Sequence, residues 1–265
     1  MDEEGGSPMQ KAGGEGTDGV RSVLRALDLL ALFDESHRSR TVRELIDASG
    51  LAKSTVVRLV ATLEQRGLLW NRGDGHLVPG AGLLRWATLA QDAWRLPPEA
   101  VDCLREVSVR SGGESSRIYV RQGLGRVCVA QHEGTQPLRH VVRIGEEMPL
   151  GAGASGHVLL IGCPQEFVQT AAEASGRGAE FEQVLAARVR AAREQGWASS
   201  DGEREDGVAG VAAPIVGEDG QVVAALALGG PSNRFTSERV AAFVPVLTEA
   251  AGHLSTLRFL NGSAI

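Results

Sequence analysis

The chain has 265 residues, 43% hydrophobic and 23% charged, with a formal net charge of −6. That length suits two domains, each with a core, and no apolar run is long enough for a membrane span, so no membrane partner is expected. The start MDEEGG is acidic where a signal peptide is basic. Cys103, Cys128 and Cys163 stand far apart without CxxC or His spacing, which argues against a zinc site and a secreted disulfide scaffold and for a reduced, cytoplasmic setting.

Residues 1–19 are Gly-rich and acidic without periodicity and are expected to be a disordered tail. A first helix follows, with Val20, Val23, Leu24, Leu27, Leu30 and Ala31 on one face and Arg21 and Arg25 off it. Thr41 and Glu44 have the spacing of a capping box opening a short helix over 41–48. Ser49-Gly50-Leu51 is a tight turn, after which Ser54-Thr55 open a second helix. Val56, Leu59, Val60 and Leu63 form its buried stripe and leave Lys53, Arg58 and Arg66 outside. Gly67 ends that helix, and 68–70 with 76–78 flank Asp74-Gly75, a strong hairpin signal.

Two helices joined through one Gly and followed by a hairpin predict a winged helix-turn-helix over residues 20–80 that binds double-stranded operator DNA. An αα-hairpin with solvated cations is the plainer alternative, but it accounts for neither the polar helix start nor the hairpin. Charge follows the same division, with net −4 over 1–19, +2 over 20–80 and −4 over 81–265. So small a surplus points to a few focused phosphate and base contacts. Lys53, Ser54 and Thr55 at the helix start, with Arg58 one turn on, are placed to meet base edges or phosphates. Arg72 in the wing and Arg21 or Arg25 in the first helix are candidates for backbone contact, and any of these cations is equally a solvated surface group.

Leu83, Leu84, Ala87, Leu89 and Ala90 predict a linker helix over 81–97, punctuated by Leu96-Pro97-Pro98. The second domain, 98–262, begins with a helix over 99–110 and strands over 114–120, 126–132 and 138–144. Helices over 155–162 and 180–195 precede strands over 207–216 and 221–228 joined at Asp219-Gly220, and a last helix over 236–260 is expected to kink at Pro245. Runs of strands with helices at the ends give an α+β fold with a mostly antiparallel sheet.

Residues 151–156 spell GxGxxG. A dinucleotide fingerprint needs a buried strand before it and repeated βαβ units, whereas Glu146, Glu147 and Pro149 precede this one. A Gly-rich loop opening a helix still offers amide donors to a carboxylate. Arg117 and Tyr119 lie on the strand face opposite Ile118 and Val120, where Arg117 is either a carboxylate anchor or a solvated side chain. No catalytic set, metal cluster or cofactor motif stands out, so no enzyme activity, metal or cofactor is expected.

The run 20–30, VRSVLRALDLL, with 50–59, GLAKSTVVRL, resembles the DNA-binding half of IclR-type bacterial transcription regulators. Gly145-Glu146-Glu147-Met148-Pro149-Leu150 leading into 151–156, and 207–231 through Ala212-Ala213-Pro214-Ile215, resemble their second domain, so the likeness spans about 20–260. It implies a winged helix-turn-helix, a linker helix, a GAF-like effector-binding domain, and homodimers or dimers of dimers acting as repressor or activator. It also implies that small carboxylic acids are held at loop positions Ala154 and Ser155 and at Ser200, Val208, Gly210, Ala227 and Gly229. Pocket walls would come from His140, alternatively a structural hydrogen-bonder, and Met148. Where such regulators often carry Asp, Cys or Ser, this chain has Ser200 and otherwise side chains without hydrogen-bonding groups, so a wider, more apolar pocket for an aromatic or hydrophobic acid is expected. The second functional reading is a small-molecule-binding or enzymatic domain with a degenerate DNA module.

Overall fold

The computed structural model describes residues 19–34 and 36–259, so the expected disorder of residues 1–18 lies outside the described residues. The chain divides into two compact units, with the division between Arg95 and Leu96.

In the first unit, α1 (Arg21–Ala31) precedes β1 (Arg40–Thr41), α2 (Val42–Ser49) and α3 (Lys53–Gln65), and then β2 (Leu69–Asn71), β3 (His76–Pro79) and α4 (Gly82–Ala93). Both arms of the capping box form: Glu44 N donates to the Thr41 hydroxyl oxygen at 3.2 Å, and Thr41 N donates to the Glu44 carboxylate at 2.6 Å. Gly50 closes α2 at φ +62°, a left-handed conformation that only glycine adopts without cost. Leu29, Leu45, Val56, Val60, Leu63, Leu69 and Leu77 form the core, with Leu59 only partly buried. The hairpin is present, and β1, absent from the sequence expectation, pairs with β3 to make a three-stranded sheet of order β1-β3-β2. A Cβ on Gly80 would stand 2.2 Å from the Gly67 carbonyl oxygen, so the start of α4 sits directly on the α3–β2 turn.

Two expectations change here. α3 begins at Lys53 and is capped by Ala52 without a side-chain hydrogen bond, one residue before the Ser54-Thr55 start. Of the expected α1 stripe, Val20, Val23, Leu24, Leu27 and Ala31 are exposed and Leu30 is half-buried; the residue the helix buries is Leu29, outside that stripe, because the core engages the helix through its C-terminal half. α4 likewise buries no residue and presents Leu84, Trp86 and Leu89 to solvent.

The second unit runs α5 (Pro98–Arg110), β4 (Ser115–Gln122), β5 (Gly125–His132), β6 (Glu147–Pro149), α6 (Ala154–Leu159), α7 (Gln165–Ala174), α8 (Phe181–Gln195), β7 (Ala198–Asp201), β8 (Val208–Val216), β9 (Val222–Pro231) and α9 (Ser237–Thr256). Its six-stranded sheet has the order β6-β5-β4-β9-β8-β7 with every pairing antiparallel. Side-chain alternation splits the domain into two cores. Ile118, Val211, Leu226 and Leu228 pack under α5 and α9, against Leu104, Phe243 and Leu247. Tyr119, Cys128, Ala212, Ala225 and Ala227 face Val158, Val168 and Leu185 of α6, α7 and α8. The first face carries large branched residues and the second small ones, which leaves room for a cleft.

The strand expected over 138–144 does not form. Its alternation is an accident of composition: Leu138, Val141 and Ile144 are exposed and Val142 alone is buried. Carbonyls that a ladder would use go instead to guanidinium groups, Arg234 Nη2 donating to Leu138 O at 2.9 Å and Arg117 Nη2 to His140 O at 2.5 Å. β6, α7 and β7 are present without having been expected.

Candidate functional site

In the first unit, α2, the three residues 50–52 and α3 form the helix pair, with the wing beside it. Lys53, Ser54 and Arg58 are exposed on α3 and Thr55 is half-buried, consistent with a core stripe that turns the other way. Arg72 is exposed in the wing loop, where Gly73 and Gly75, both at φ +86°, turn the chain and Arg72 N donates to His76 O at 3.0 Å. Arg21 is exposed and Arg25 half-buried on α1. Lys53, Arg58 and Arg72 form no ion pair with a described residue, so the surface offers free cations and an N-terminal turn without a side-chain cap to a polyanion.

In the second unit a small cleft, partly open to solvent and with a cavity volume of about 60 Å³, lies on the small-residue face of the sheet. β4 supplies Arg117 and Tyr119, and β9 supplies Ala227 and Gly229. β8 brings Val208 and Gly210, and β7 brings Ser200. The loop before α6 adds Ala154 and Ser155, while His140 and Met148 stand at the wall. All eleven sequence-selected positions of this domain therefore line one cleft.

The cleft also carries more charge than its mapped positions suggested. Arg126 and Arg204 join Arg117 in the lining, so three guanidiniums face a space whose apolar surface comes from Tyr119, Val142, Met148 and Ala227. Arg117 and Arg126 are each 3% exposed. Neither has a carboxylate within 4 Å among the described residues, and the Nε of each is buried without a hydrogen-bond partner. Arg126 Nη1 donates to the carbonyls of Pro149 and Ala152 and so pins the Gly-rich loop. Burial pushes its pKa down to about 10, which leaves it charged at neutral pH. The Tyr119 phenol, pushed up to about 12 by burial, stays protonated and lies beneath Arg126, whose Cζ is 5.8 Å from the ring centre. Arg204 Nη2 donates to His140 Nε2. Burial, then the Arg204 and Arg117 charges, push the His140 pKa below its ordinary value, so a neutral ring accepts that bond.

The Gly-rich loop is held from within. Gly153 N donates to Glu203 Oε2 and Ala154 N to Ser200 Oγ, both at 2.9 Å, while Ser155 N has no acceptor among the described residues. Glu203 is buried and stands 3.0 Å from both His157 Nε2 and Arg188 Nη1. Burial raises its pKa, but His157, the Gly153 amide and Arg188 outweigh that and hold it below the usual carboxylate value. The GxGxxG spelling thus opens a six-residue helix beside an antiparallel edge strand, without the parallel βαβ setting of a dinucleotide site.

Sequence reasoning missed Arg126, Arg204, Val142 and the Glu203 pair. Arg126 left a trace, since strand alternation puts it on the same face as buried Cys128. Arg204, inside the charged run 203–206, looked like solvated surface.

Sequence comparison places this geometry in a group. A profile described as the IclR helix-turn-helix domain matches residues 22–72, and one described as the bacterial transcriptional regulator IclR C-terminal matches 94–256. The HTH-type transcriptional regulator KipR of Bacillus subtilis is 30% identical over 236 residues, covering 86% of this chain and 92% of the relative. A crystal structure of a putative IclR-family regulator from Rhodococcus sp. is 42% identical, covers 96% of this chain and all of that one, and superposes with a TM-score of 0.62. An IclR homologue from Microbacterium hydrocarbonoxydans, crystallised with 4-hydroxybenzoate, is 23% identical, covers 89% of this chain and 98% of that one, and shares the fold at a TM-score of 0.69. Among the described residues no helix is long and apolar enough to cross a membrane. A helix-turn-helix unit joined in one chain to a domain with a polar cleft, matched by the two profiles over 22–72 and 94–256, shows that the chain belongs to the IclR family of bacterial transcriptional regulators.

Proposed function

We propose that the protein binds a specific operator as a homodimer and changes its affinity for that DNA when a small organic acid enters the cleft of the second domain. The observation that carries this reading is the cleft itself, where the start of α6 and three guanidiniums converge on one space. A carboxylate at that end meets the Ser155 amide and Arg126, and Tyr119, Met148 and Val142 give an aromatic or aliphatic body its contact surface. The 4-hydroxybenzoate complex of the Microbacterium relative supports an aromatic acid as one candidate.

DNA is read by α3, with Lys53 and Arg58 as the principal contacts, Ser54 and Thr55 beside them, and Arg72, Arg21 and Arg25 on the backbone. Dimerisation is supported by the exposed apolar residues of α1 and α4, which match the large unpaired patches that mark protein interfaces. Two copies then meet the two halves of a roughly palindromic site. By linkage, an acid that changes operator affinity binds with a different affinity when operator is present, by the same factor.

A mobility-shift titration of the full chain on its neighbouring promoter, against random duplex and with and without a panel of organic acids, tests both halves. A specific shift moved by at least one acid is expected. No preference over random duplex sinks the DNA half, and a specific shift that no acid alters sinks the ligand half.

A further inference from the structure

Resting on the acid-binding reading above, we infer that the cleft is built for a ligand with two anionic groups, one at each end. One end is the start of α6, where the Ser155 amide is free and Arg126 Nη2 comes within 3.1 Å of the place a Cβ on Gly153 would occupy. The other end is Arg117 with Arg204. Arg117 Nη1 approaches within 3.4 Å of a Cβ built on Gly229, and Arg204 is joined to it through His140, which takes a bond from Arg117 on its carbonyl and from Arg204 on its ring. Tyr119 lies between the ends. In the β4–β5 register Arg126 faces Arg121, four residues along β4 from Arg117, or roughly 13 Å of strand.

Charge balance points the same way. A buried guanidinium without a counter-ion is costly, and Arg117 and Arg126 are both buried, both lack a carboxylate within 4 Å among the described residues, and both keep an unpartnered Nε. The buried acids nearby are engaged elsewhere: Glu203 faces His157, Arg188 and the Gly153 amide, and Glu114 is joined to Arg234. A monocarboxylate would leave one guanidinium uncompensated, whereas a dianion pairs both. Dicarboxylic acids and phosphorylated carboxylic acids share this chemistry. Small residues at Gly210, Ala227 and Gly229 keep the sheet side of the cleft open between the two arginines.

Titration calorimetry on the full chain tests the inference with matched probes, namely terephthalate, isophthalate and glutarate against their monoamides, and phosphoglycolate against glycolate. At least one dianion is expected to bind more than 10-fold tighter than its singly charged partner. Whether a dicarboxylate or the phosphate ester gains more identifies the source. Arg117→Gln is expected to bring dianion and monoanion to within about 2-fold, and Arg204→Gln, at a partly exposed position, to narrow the gap without touching the core. Monoanions that bind as well as dianions, or a gap unchanged in both variants, would overturn the two-ended site while leaving the acid-binding reading intact. Failure of every acid to bind overturns both.

Discussion

The two units use the same side chains under opposite conditions. On α3 and the wing, Lys53, Arg58 and Arg72 stand in solvent without an ion pair among the described residues, whereas in the cleft Arg117 and Arg126 are buried and likewise have no carboxylate within 4 Å among the described residues. Exposed cations cost folding almost nothing, and they gain by releasing counterions from DNA. Buried ones lose hydration on folding, a cost that a paired anion can offset. A surface cation therefore says little about its target, while a buried one with no carboxylate beside it favours an anionic ligand over a neutral one. The same domain contains the matching control, Arg234, which meets buried Glu114 through Nε at 2.6 Å and Nη2 at 2.8 Å.

That control gives the largest expected effect. Glu114→Gln leaves the Arg234 guanidinium without its counter-charge, and breaking such a pair typically costs about 3 kcal/mol or more. Urea unfolding of the second unit's signals should show it, and a loss below about 1 kcal/mol would erase the distinction between paired and unpaired arginines. Next comes Arg58→Ala, expected to weaken operator binding by about 1–3 kcal/mol at some operator positions only. Lys53→Ala should instead lower the slope of log affinity against log salt by about one, and equal losses on all sequences in both variants would reduce the pair to phosphate contacts. The smallest effect is expected for Arg117→Gln in ligand-free protein. One hydrogen bond to His140 O is lost, but so is an uncompensated charge, and the net change should stay within about 1 kcal/mol. A loss as large as that for Glu114→Gln would mean that Arg117 serves the fold rather than a ligand.

What was legible in the sequence is what short-range physics decides. The Thr41–Glu44 box, the Gly50 turn, the α3 stripe and the Asp74-Gly75 hairpin each follow from residues within a few positions of one another. Strand alternation placed Arg117 and Tyr119 on the cleft face because β4 is central and flanked on both sides. The errors arise where distant partners intervene. Residues 138–144 alternate like a strand, but Arg117 and Arg234, remote in sequence, take their carbonyls. The cleft looked apolar because its mapped positions are Gly, Ala and Val, and the charge enters from Arg126 and Arg204 on neighbouring segments. Nothing local to an arginine tells whether it will be buried.

The loop before α6 is occupied before any ligand comes. Its Gly153 and Ala154 amides are held by Glu203 and Ser200, so a carboxylate that takes them binds by exchange rather than by filling a vacancy. The free energy of such an exchange would be a difference between two sets of hydrogen bonds, one charge-assisted on each side. A neutral carbonyl or hydroxyl cannot displace the Glu203 carboxylate on those terms, whereas a fully ionised acid competes as an equal. The internal carboxylate would thus compete for the Gly153 amide alone, and leaves the Ser155 amide as the one a ligand could meet without exchange.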